Sequence, residues 1–295
     1  MAVSSKIHSL NNLWFCSEKL SIFNHCLKCR DFFKRLMKIV IVSACTPRDW
    51  IIIQEIIRNF DKVTVIELTS SKNGKARKSN GWINAKGMKI IRKIHKIRLA
   101  KKLRPRFYEG LGVEKHHFPS AEVNSPEGTE LIRSLEPDIL FTSWAPILRE
   151  AVLQIPKLAA INVHFGISPD FRGNDTLFWA LYFRNYEKVG GILHYLNKGV
   201  DTGNILAEVR PGLESGNGEL EVDIKTTLLL AKAAVEVLGK IKESQVLPLG
   251  KIQEKKGRNF KTSERRLANN LKLLAFHSLG LWKVKPREER IDYFI

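Results

Sequence analysis

Three polar residues in the middle of the chain could carry chemistry together. Asn162 and His164 lie two residues apart at the end of an apolar run that predicts a β-strand, so their side chains point to the same side of a sheet. Asp201 stands between Gly199 and Gly203 in a tight turn that joins two further predicted strands. An amide and an imidazole can donate hydrogen bonds, and an imidazole and a carboxylate can move protons. Taken singly, a histidine after a strand or an aspartate in a glycine-flanked turn is more often structural. The prediction of a catalytic site therefore rests on the three residues together.

The elements that must position these residues alternate between strand and helix. The chain from Met37 opens with Lys-Ile-Val-Ile-Val, a short apolar run typical of a buried parallel strand. Helices are predicted over residues 47–60, 126–135, 147–153, 222–244 and 263–277, and strands over 62–68, 138–142, 159–163, 191–196 and 204–209. This order predicts an α/β fold with a Rossmann-like, doubly wound and mostly parallel sheet, helices on both faces and a short C-terminal appendage. Such sheets bind ligands beyond the carboxyl ends of their strands, where Asn162 and His164 would lie.

The first turn after the opening strand argues against a dinucleotide cofactor. Proteins that bind NAD or FAD on this kind of sheet carry a Gly-x-Gly-x-x-Gly loop there. Here the turn reads Ser43-Ala44-Cys45-Thr46-Pro47, so we expect neither cofactor.

The residues around the three candidates belong to a longer pattern. In order it comprises Asn162, His164, Pro169, Arg172-Gly173, Gly199, Asp201 and Gly203. This string resembles the folate-dependent formyltransferase family, which includes glycinamide ribonucleotide, methionyl-tRNA and nucleotide-sugar formyltransferases. The similarity extends through Glu136-Pro-Asp138 and Trp144-Ala-Pro-Ile-Leu148, and it covers residues 40–209.

The resemblance implies a reaction and a role for each candidate. The family moves a formyl group from N10 of 10-formyltetrahydrofolate to an amine through a tetrahedral intermediate whose oxygen gains negative charge. Asn162 and a protonated His164 would donate hydrogen bonds to that oxygen, and Asp201 would keep His164 charged and relay protons through water. Because an opposite charge stabilises the imidazolium, we expect Asp201 to raise the pKa of His164.

The same resemblance implies where the two substrates bind. The pterin ring of the folate would lie against the backbone of one segment and one loop, which contain Trp144, Ala145, Pro146, Ile147 and Leu148 and, in the loop, Leu196, Asn197 and Gly199. Arg172 and Gly173 would face the amine substrate. Two readings of Arg172 remain open: it contacts an anionic group of that substrate, or it ties down its own loop.

Departures from the family pattern and the charge of the chain narrow the choice of amine. Methionyl-tRNA formyltransferases typically read His-Pro-Ser-Leu-Leu-Pro where this chain has His164-Phe-Gly-Ile-Ser-Pro169, and their C-terminal domain of about a hundred residues exceeds what residues 251–295 supply. We therefore expect no nucleic-acid partner. The formal net charge of +19 favours anionic partners, which indicates a small amine on a nucleotide-linked or phosphorylated sugar. The alternatives are a formyltetrahydrofolate hydrolase, a methionyl-tRNA formyltransferase-like enzyme and a non-catalytic protein that binds anions or nucleic acid.

A block of basic residues forms a separate feature. Between Thr69 and Tyr108 there is no Asp or Glu, while Lys and Arg are frequent. Isoleucines recur in this block at positions 83, 90, 91, 94 and 97, and this near-helical spacing predicts a cationic amphipathic helix. The interpretations that stay open are a helix packed on the domain with a solvated charged face, contact of residues 82–106 with an acidic membrane surface, and contact with an acidic substrate. A homodimer is also compatible with the sequence.

Composition and spacing suggest three parts of the chain. Residues 1–36 form an N-terminal extension, residues 37–247 the catalytic domain with a basic helical insertion at 70–108, and residues 248–295 a small C-terminal appendage. Either Met1 or Met37 can start translation.

The four cysteines are too few for a disulfide framework, and the single Cys26-x-x-Cys29 pair is half a zinc site, so we expect no metal. The chain shows neither an apolar run long enough for a transmembrane helix nor a secretory signal, and we expect a cytoplasmic protein.

Overall fold

A continuous apolar run gives strand β1, Lys38–Ser43, two buried faces, and the rest of the sheet is built around this strand. Ile39 and Ile41 of this strand belong to one core cluster, whereas Val40 and Val42 belong to another. Successive side chains of a strand point to opposite faces, so the two clusters fill the two sides of the sheet. The structure is a computed structural model that describes residues 36–70, 81–103, 112–255, 257–280 and 284–295.

The strands of the described residues form one large sheet and a small two-stranded one. Their bounds are β1 Lys38–Ser43, β2 Lys62–Thr69, β3 Glu114–Pro119, β4 Ile139–Ser143, β5 Ala159–His164, β6 Phe171–Gly173, β7 Gly191–Tyr195, β8 Ile205–Arg210, β9 Arg258–Phe260 and β10 Arg290–Tyr293. The large sheet has the order β10-β8-β7-β5-β4-β1-β2-β3, and β6 pairs with β9. Strands β3, β2, β1, β4 and β5 are parallel, whereas β7, β8 and β10 join in antiparallel fashion. The predicted doubly wound, mostly parallel α/β sheet is confirmed.

Helices cover both faces of this sheet. Their bounds are α1 Pro47–Asn59, α2 Trp82–Leu103, α3 Pro126–Ser134, α4 Glu150–Leu153, α5 Thr176–Tyr182, α6 Glu219–Ser244 and α7 Leu267–Ser278, and short 3₁₀ turns span Ser120–Glu122 and Tyr186–Lys188. Helix α1 begins at a proline with Asp49 reaching back to the backbone N–H of Thr46, a favourable start for a helix. Helices α1 and α6 bury their apolar sides against the Ile39 face, and α3 and α4 pack on the Val40 face.

The C-terminal segment is bound to the rest of the domain at several points. Strand β10 lies antiparallel to β8 at the edge of the large sheet, and β9 pairs with β6 beside Arg172. Lys251 forms an isolated bridge with Ile205. The predicted helix at 263–277 is present as α7, and it begins four residues later than its sequence pattern suggests. The stretch that the sequence suggests to be an appendage therefore supports the loops next to Asp201.

The predicted cationic helix is present as α2, but its isoleucines do not form its packed side. Met88 and Leu99 are the buried residues of α2, whereas Ile90, Ile94 and Ile97 are exposed. One compact unit of the chain spans Met37–Ile295. The predicted extension with its Cys-x-x-Cys pair, apart from its last residue, lies outside the described residues, as do the two ends of the basic block. No helix among those the structure describes is long and apolar enough to cross a bilayer.

Candidate functional site

Strand β5 ends with Asn162 and His164, and its antiparallel neighbour β7 supplies a third polar residue. The register of the two strands places His194 directly opposite Asn162. The Nδ2 of Asn162 donates to Nε2 of His194 at 3.1 Å, and Nδ1 of His194 lies 2.7 Å from the carbonyl oxygen of Tyr195. This pattern assigns the proton of His194 to Nδ1 and leaves Nε2 as an acceptor. The hydroxyl of Thr142 donates to Oδ1 of Asn162 at 2.7 Å, so the amide is held on both sides.

Asp201 brings the two strand ends together. Its Oδ2 lies 3.5 Å from Nδ1 of His164, and its Oδ1 lies 3.6 Å from Nε2 of His194. The backbone N–H of Gly173 donates to Oδ2 at 2.8 Å. The structure thus gathers Asn162, His164 and Asp201 at the carboxyl end of β5, although His194 lies between Asn162 and the carboxylate.

Backbone geometry fixes the position of this carboxylate. Asp201 itself has a φ of 49°, in the left-handed region that a non-glycine residue occupies at a cost. A Cβ on Gly203 would overlap the carbonyl oxygen of Tyr195, so only glycine fits where the turn enters β8. Gly173 has a φ of 87° while it donates to the carboxylate. The glycines of the sequence pattern therefore shape the two loops that meet at Asp201.

His164 is buried, and both of its ring nitrogens face oxygen atoms. Its Nε2 lies 3.0 Å from the carbonyl oxygen of Phe171, which accepts a hydrogen bond, and its Nδ1 faces Asp201. A Cβ on Gly166 would lie 2.9 Å from Nε2, so the loop after β5 packs closely on the ring. The side chain of His164 is only 7% exposed.

Burial decides the protonation of this pair. Removal from water lowers the pKa of His164 below its ordinary 6.5. The charge of Asp201 and the hydrogen bond to the carbonyl of Phe171 both act to raise this pKa, but their effect is smaller than that of burial. Asp201 acts to raise the pKa of His164, as expected, but the expectation that it keeps His164 charged is wrong because the effect of burial is larger. Burial acts to raise the pKa of Asp201, but the charge of His164, contacts with His194 and the N–H of Gly173 hold it well below the usual range. The resting site at neutral pH has a neutral imidazole beside an ionised carboxylate.

Arg172 ties loops together in this structure. Its guanidinium donates to the carbonyl oxygen of Gly257 at 2.7 Å and reaches that of Val200 at 3.5 Å. Its Nε is buried and has no hydrogen-bond partner among the described residues. These contacts join β6 to the turn of Asp201 and to the C-terminal segment. They favour the second of the two sequence-based readings, in which Arg172 secures its own loop.

The two segments expected to hold the folate lie side by side. Ala145 and Leu196 pack against the same core cluster, and the backbone N–H of Leu196 donates to the carbonyl of Ala160 at 2.8 Å. Beyond the end of β4, Trp144 and Ile147 expose large apolar surfaces, 51% and 67% of each residue. Exposed apolar groups beside a strand end can pack against a flat ring, so the chemistry of this surface fits a pterin.

The remaining residues of these segments order the backbone. Asn124 donates to the carbonyl of Ile147 at 2.9 Å and accepts from the N–H of Arg149 at 2.7 Å, which fixes the segment that contains Pro146 and the buried Leu148. In the loop, Oδ1 of Asn197 accepts from the N–H of Gly199 at 2.9 Å.

A cation that sequence reasoning missed lies next to the site. The guanidinium of Arg48, at the start of α1, lies 4.2 Å from the ring centre of Phe165 and 5.0 Å from that of Trp144. Its charge is paired with the buried Asp223 of α6 at 3.1 Å, and His95 of α2 contacts the other oxygen of Asp223 at 3.0 Å. No motif signals this group, because its three members are far apart in sequence and become neighbours only when α1, α2 and α6 pack together.

His194 was also missed, although a signal for it exists. It lies in the predicted strand at 191–196, and the tight turn between the two predicted strands is the kind that forms an antiparallel hairpin. What the sequence does not provide is the register between β7 and β5. Only that register places His194 against Asn162.

Other chemistries find little support among the described residues. Cys45 follows β1 near the site, but burial, with help from Glu67 and Asp49, raises the pKa of its thiol to about 12. A thiol with that pKa is a poor nucleophile at neutral pH. In the parts of the chain that the structure describes, no three His, Cys, Asp or Glu side chains are grouped as metal ligands would be.

Known proteins resemble this chain in sequence and in fold. Residues 37–238 match the family model described as formyl transferase. The methionyl-tRNA formyltransferase of Caldanaerobacter subterraneus is 32% identical over 132 residues, which cover 44% of this chain and 42% of that protein. The methionyl-tRNA formyltransferase of Acetivibrio thermocellus is 36% identical over 126 residues, which cover 42% and 40%. The matched segments thus span less than half of these relatives.

A solved structure agrees with the fold. The sugar N-formyltransferase of a Shewanella species superposes with a TM-score of 0.51 at 18% identity, and the match covers 78% of each chain. At that identity the agreement concerns the fold alone. The family match extends over most of the chain and includes β5, the turn of Asp201 and the N-terminal part of α6. The chain belongs to the formyl transferase family.

Proposed function

We propose that this protein transfers a formyl group from 10-formyltetrahydrofolate to a primary amine. The observation that carries the proposal is the position of Asp201, whose carboxylate lies between His164 and His194 at the strand end that also bears Asn162. An ionised carboxylate, a neutral imidazole and an amide in this arrangement can move a proton and stabilise a developing negative charge. Membership of the formyl transferase family supports the choice of reaction.

Asn162 is suited to stabilise the formyl oxygen. When bound, 10-formyltetrahydrofolate supplies a formyl carbon that an amine can attack. The amide of Asn162 carries two N–H groups, and one of them donates to His194. The other is available for an oxygen that gains negative charge. Because Thr142 and His194 hold the amide on both sides, this donor is in place before the reaction begins.

His164 is suited to move the proton of the amine. Its Nε2 donates to the carbonyl of Phe171, so the neutral ring carries its lone pair on Nδ1, on the side of Asp201. A proton taken up at Nδ1 creates an imidazolium between two oxygen acceptors. The ionised Asp201 stabilises this charge, and the proton can then pass to the departing nitrogen. His164 acts in this scheme as a base first and as an acid afterwards.

The acceptor proposed is an amine on an anionic small molecule, such as a nucleotide-linked or phosphorylated sugar. Arg48 lies next to the site beside the rings of Phe165 and Trp144, and its charge is paired with the buried Asp223. Lys198, on the loop before Asp201, is largely exposed, and its ammonium group pairs with Glu150 at 3.0 Å. Because both of these cations are already paired with carboxylates, the support for an anionic ligand comes from the net charge of +19.

A release assay tests this function. Formation of tetrahydrofolate from 10-formyltetrahydrofolate would be followed by absorbance with a panel of amino-sugar nucleotides, amino-sugar phosphates and methionyl-tRNA, and with no amine as control. We expect release that depends on one anionic amino sugar. Release at the same rate without an amine would identify a hydrolase, and release with methionyl-tRNA alone would replace the proposed acceptor. The absence of release with the whole panel would remove the support for transfer.

A further inference from the structure

Helix α2 presents an apolar stripe on the side that faces away from the domain. At about 100° per residue, Ile83, Ile90, Ile94 and Ile97 lie about 180–240° around the helix from Met88. Met88 and Leu99 mark the buried side of α2, and Arg92 and His95 on that side pair with Asp175 and Asp223. The four isoleucines are between 46% and 61% exposed. Their exposure therefore follows from how the helix is anchored.

Helix α7 extends this apolar surface. Leu271, one turn after Leu267, lines a cavity of about 500 Å³ together with Trp82 and Ile83 at the start of α2. A Cβ on Gly87 would lie 2.7 Å from Leu267, which shows that the two helices touch at this point. Leu271 and Leu274 are more than half exposed, and Trp82 is 74% exposed. We call this surface the α2–α7 face, defined by Trp82, Ile83, Ile90, Ile94, Ile97, Leu271 and Leu274.

The charges that helix α2 places around the α2–α7 face are positive. Lys86, Lys89, Lys93 and Lys96 are exposed along one flank of the stripe, and in the described part of the chain none of them forms an ion pair with a carboxylate. Arg98 and Lys101 are exposed on the other flank and at the end of the stripe. Helix α2 contains no acidic residue. The partner of this face must therefore accept apolar side chains and carry negative charge.

We propose that the α2–α7 face binds the surface of an anionic phospholipid bilayer. A helix with an apolar stripe flanked by lysines lies in the plane of a bilayer, with the stripe among the acyl chains and the lysines near the headgroups. A second copy of this chain fits less well, because a paired stripe would place Lys86 and Lys93 next to the same cations of its partner. Nucleic acid would satisfy the lysines but would leave the isoleucines in water. This proposal is independent of the formyl-transfer reaction.

Vesicle co-sedimentation of the full chain tests the proposal. Vesicles of phosphatidylglycerol and phosphatidylcholine would be compared with vesicles of phosphatidylcholine alone. We expect binding to the anionic vesicles that weakens in high salt, and a drop in partition coefficient of at least about tenfold in the double variant Ile90→Ser and Ile94→Ser. The replacement of Lys89, Lys93 and Lys96 by Gln should reduce binding to anionic vesicles in particular. The double variant Leu249→Ser and Ile252→Ser, which alters two residues exposed elsewhere, should bind like the unaltered protein.

Three results would overturn the proposal. The first is a protein that stays in the supernatant with anionic vesicles. The second is an isoleucine double variant that binds as well as the unaltered protein, since attraction between charges alone would then explain binding. The third is that the protein does not bind vesicles and instead forms a dimer, measured by light scattering, that is lost when Ile90 and Ile94 are replaced. Thermal unfolding of every variant would establish that it is folded, which is expected because the altered side chains are exposed.

Discussion

Nδ1 of His164 lies 3.5 Å from Oδ2 of Asp201, and both side chains are almost entirely removed from water. The distance is longer than that of a hydrogen bond, as suits a neutral ring beside a carboxylate. A proton on Nδ1 would convert this pair into an ion pair in a site of low polarity. The arrangement is therefore prepared for a charge that appears during the reaction and is absent before it.

The pH dependence of transfer should report this neutral state. Because the pKa of His164 lies below 6.5 and the base must be unprotonated, kcat/KM should be level around neutral pH and should fall as the pH drops through that pKa. In Asp201→Asn the imidazolium loses its counter-charge, so the acid limb should move to lower pH. The measurement is the pH profile of tetrahydrofolate release in both proteins. An acid limb centred above pH 7 would show that His164 is charged in the resting enzyme.

His194 should act as a positioning residue for Asn162 and Asp201. Its side chain is 1% exposed, and its Nε2 accepts the hydrogen bond from Asn162. Displacement of these groups by about 1 Å costs roughly 10²-fold, so His194→Ala should lower kcat by about that factor with a smaller change in KM. His194→Gln, which keeps a polar atom near Nε2, should recover part of the loss.

A matched control separates this role from general damage to the sheet. His117→Ala alters a histidine of β3 that is largely exposed, and it should leave kcat unchanged. If His194→Gln were no better than His194→Ala at equal thermal stability, the role assigned to Nε2 would be wrong.

Much of the architecture could be predicted from the sequence, because local patterns determine it. The apolar run of β1, the proline at the start of α1 and the glycines around Asp201 each predict their element directly. The exposed side of α2 could not be predicted, since the spacing of isoleucines shows that a helix forms but not which side packs. Ion pairs of Arg92 and His95 with distant residues decide that side.

The protonation of the site could not be predicted for a related reason. The sequence pattern predicts a carboxylate near His164, and its charge does act to raise the pKa of the ring. The opposing effect of burial depends on how closely the loop at Gly166 and the backbone at Phe171 pack on the ring. Only the folded structure shows that burial is the larger of the two effects.

The buried pair of Arg48 and Asp223 should contribute strongly to stability. Asp223→Ala would leave Arg48 without its counter-charge, so we expect a loss of about 3 kcal/mol in the free energy of unfolding, measured with denaturant. Burial disfavours the charged forms of both Asp223 and His95. Contacts with Arg48 and His95 nevertheless hold the pKa of Asp223 below its ordinary 3.8. The contact with Asp223 raises the pKa of His95 above its ordinary 6.5. The stability that ionised Asp223 gives the folded protein should therefore be lost as the pH falls through the folded-state pKa of Asp223. The stability that protonated His95 gives should be lost as the pH rises through the folded-state pKa of His95.

The exposed pair of Glu130 and Arg133 serves as the control for this loss. Glu130→Ala should change the free energy of unfolding much less than Asp223→Ala, because exposed ion pairs contribute little. Equal effects of the two substitutions would contradict the structural role of the buried pair.

Arg172 should act on stability more than on acceptor binding. Arg172→Ala removes the hydrogen bonds to the carbonyl groups of Gly257 and Val200, so we expect a loss of about 1–3 kcal/mol in the free energy of unfolding and an unchanged KM for the acceptor. Both quantities would be measured on the same preparation. A raised acceptor KM at unchanged stability would instead assign Arg172 to an anionic group of the substrate.

The most direct test of the account compares tetrahydrofolate release by the unaltered protein and by Asp201→Asn, with a saturating amine acceptor. Asn keeps the size of the side chain and an oxygen for the N–H of Gly173, but it removes the charge that stabilises His164 when it takes up a proton. We expect kcat to fall by about 10²–10⁴-fold while thermal unfolding shows a folded protein. A folded Asp201→Asn protein with an unchanged kcat would contradict the central claim that the His164–Asp201 pair moves the proton.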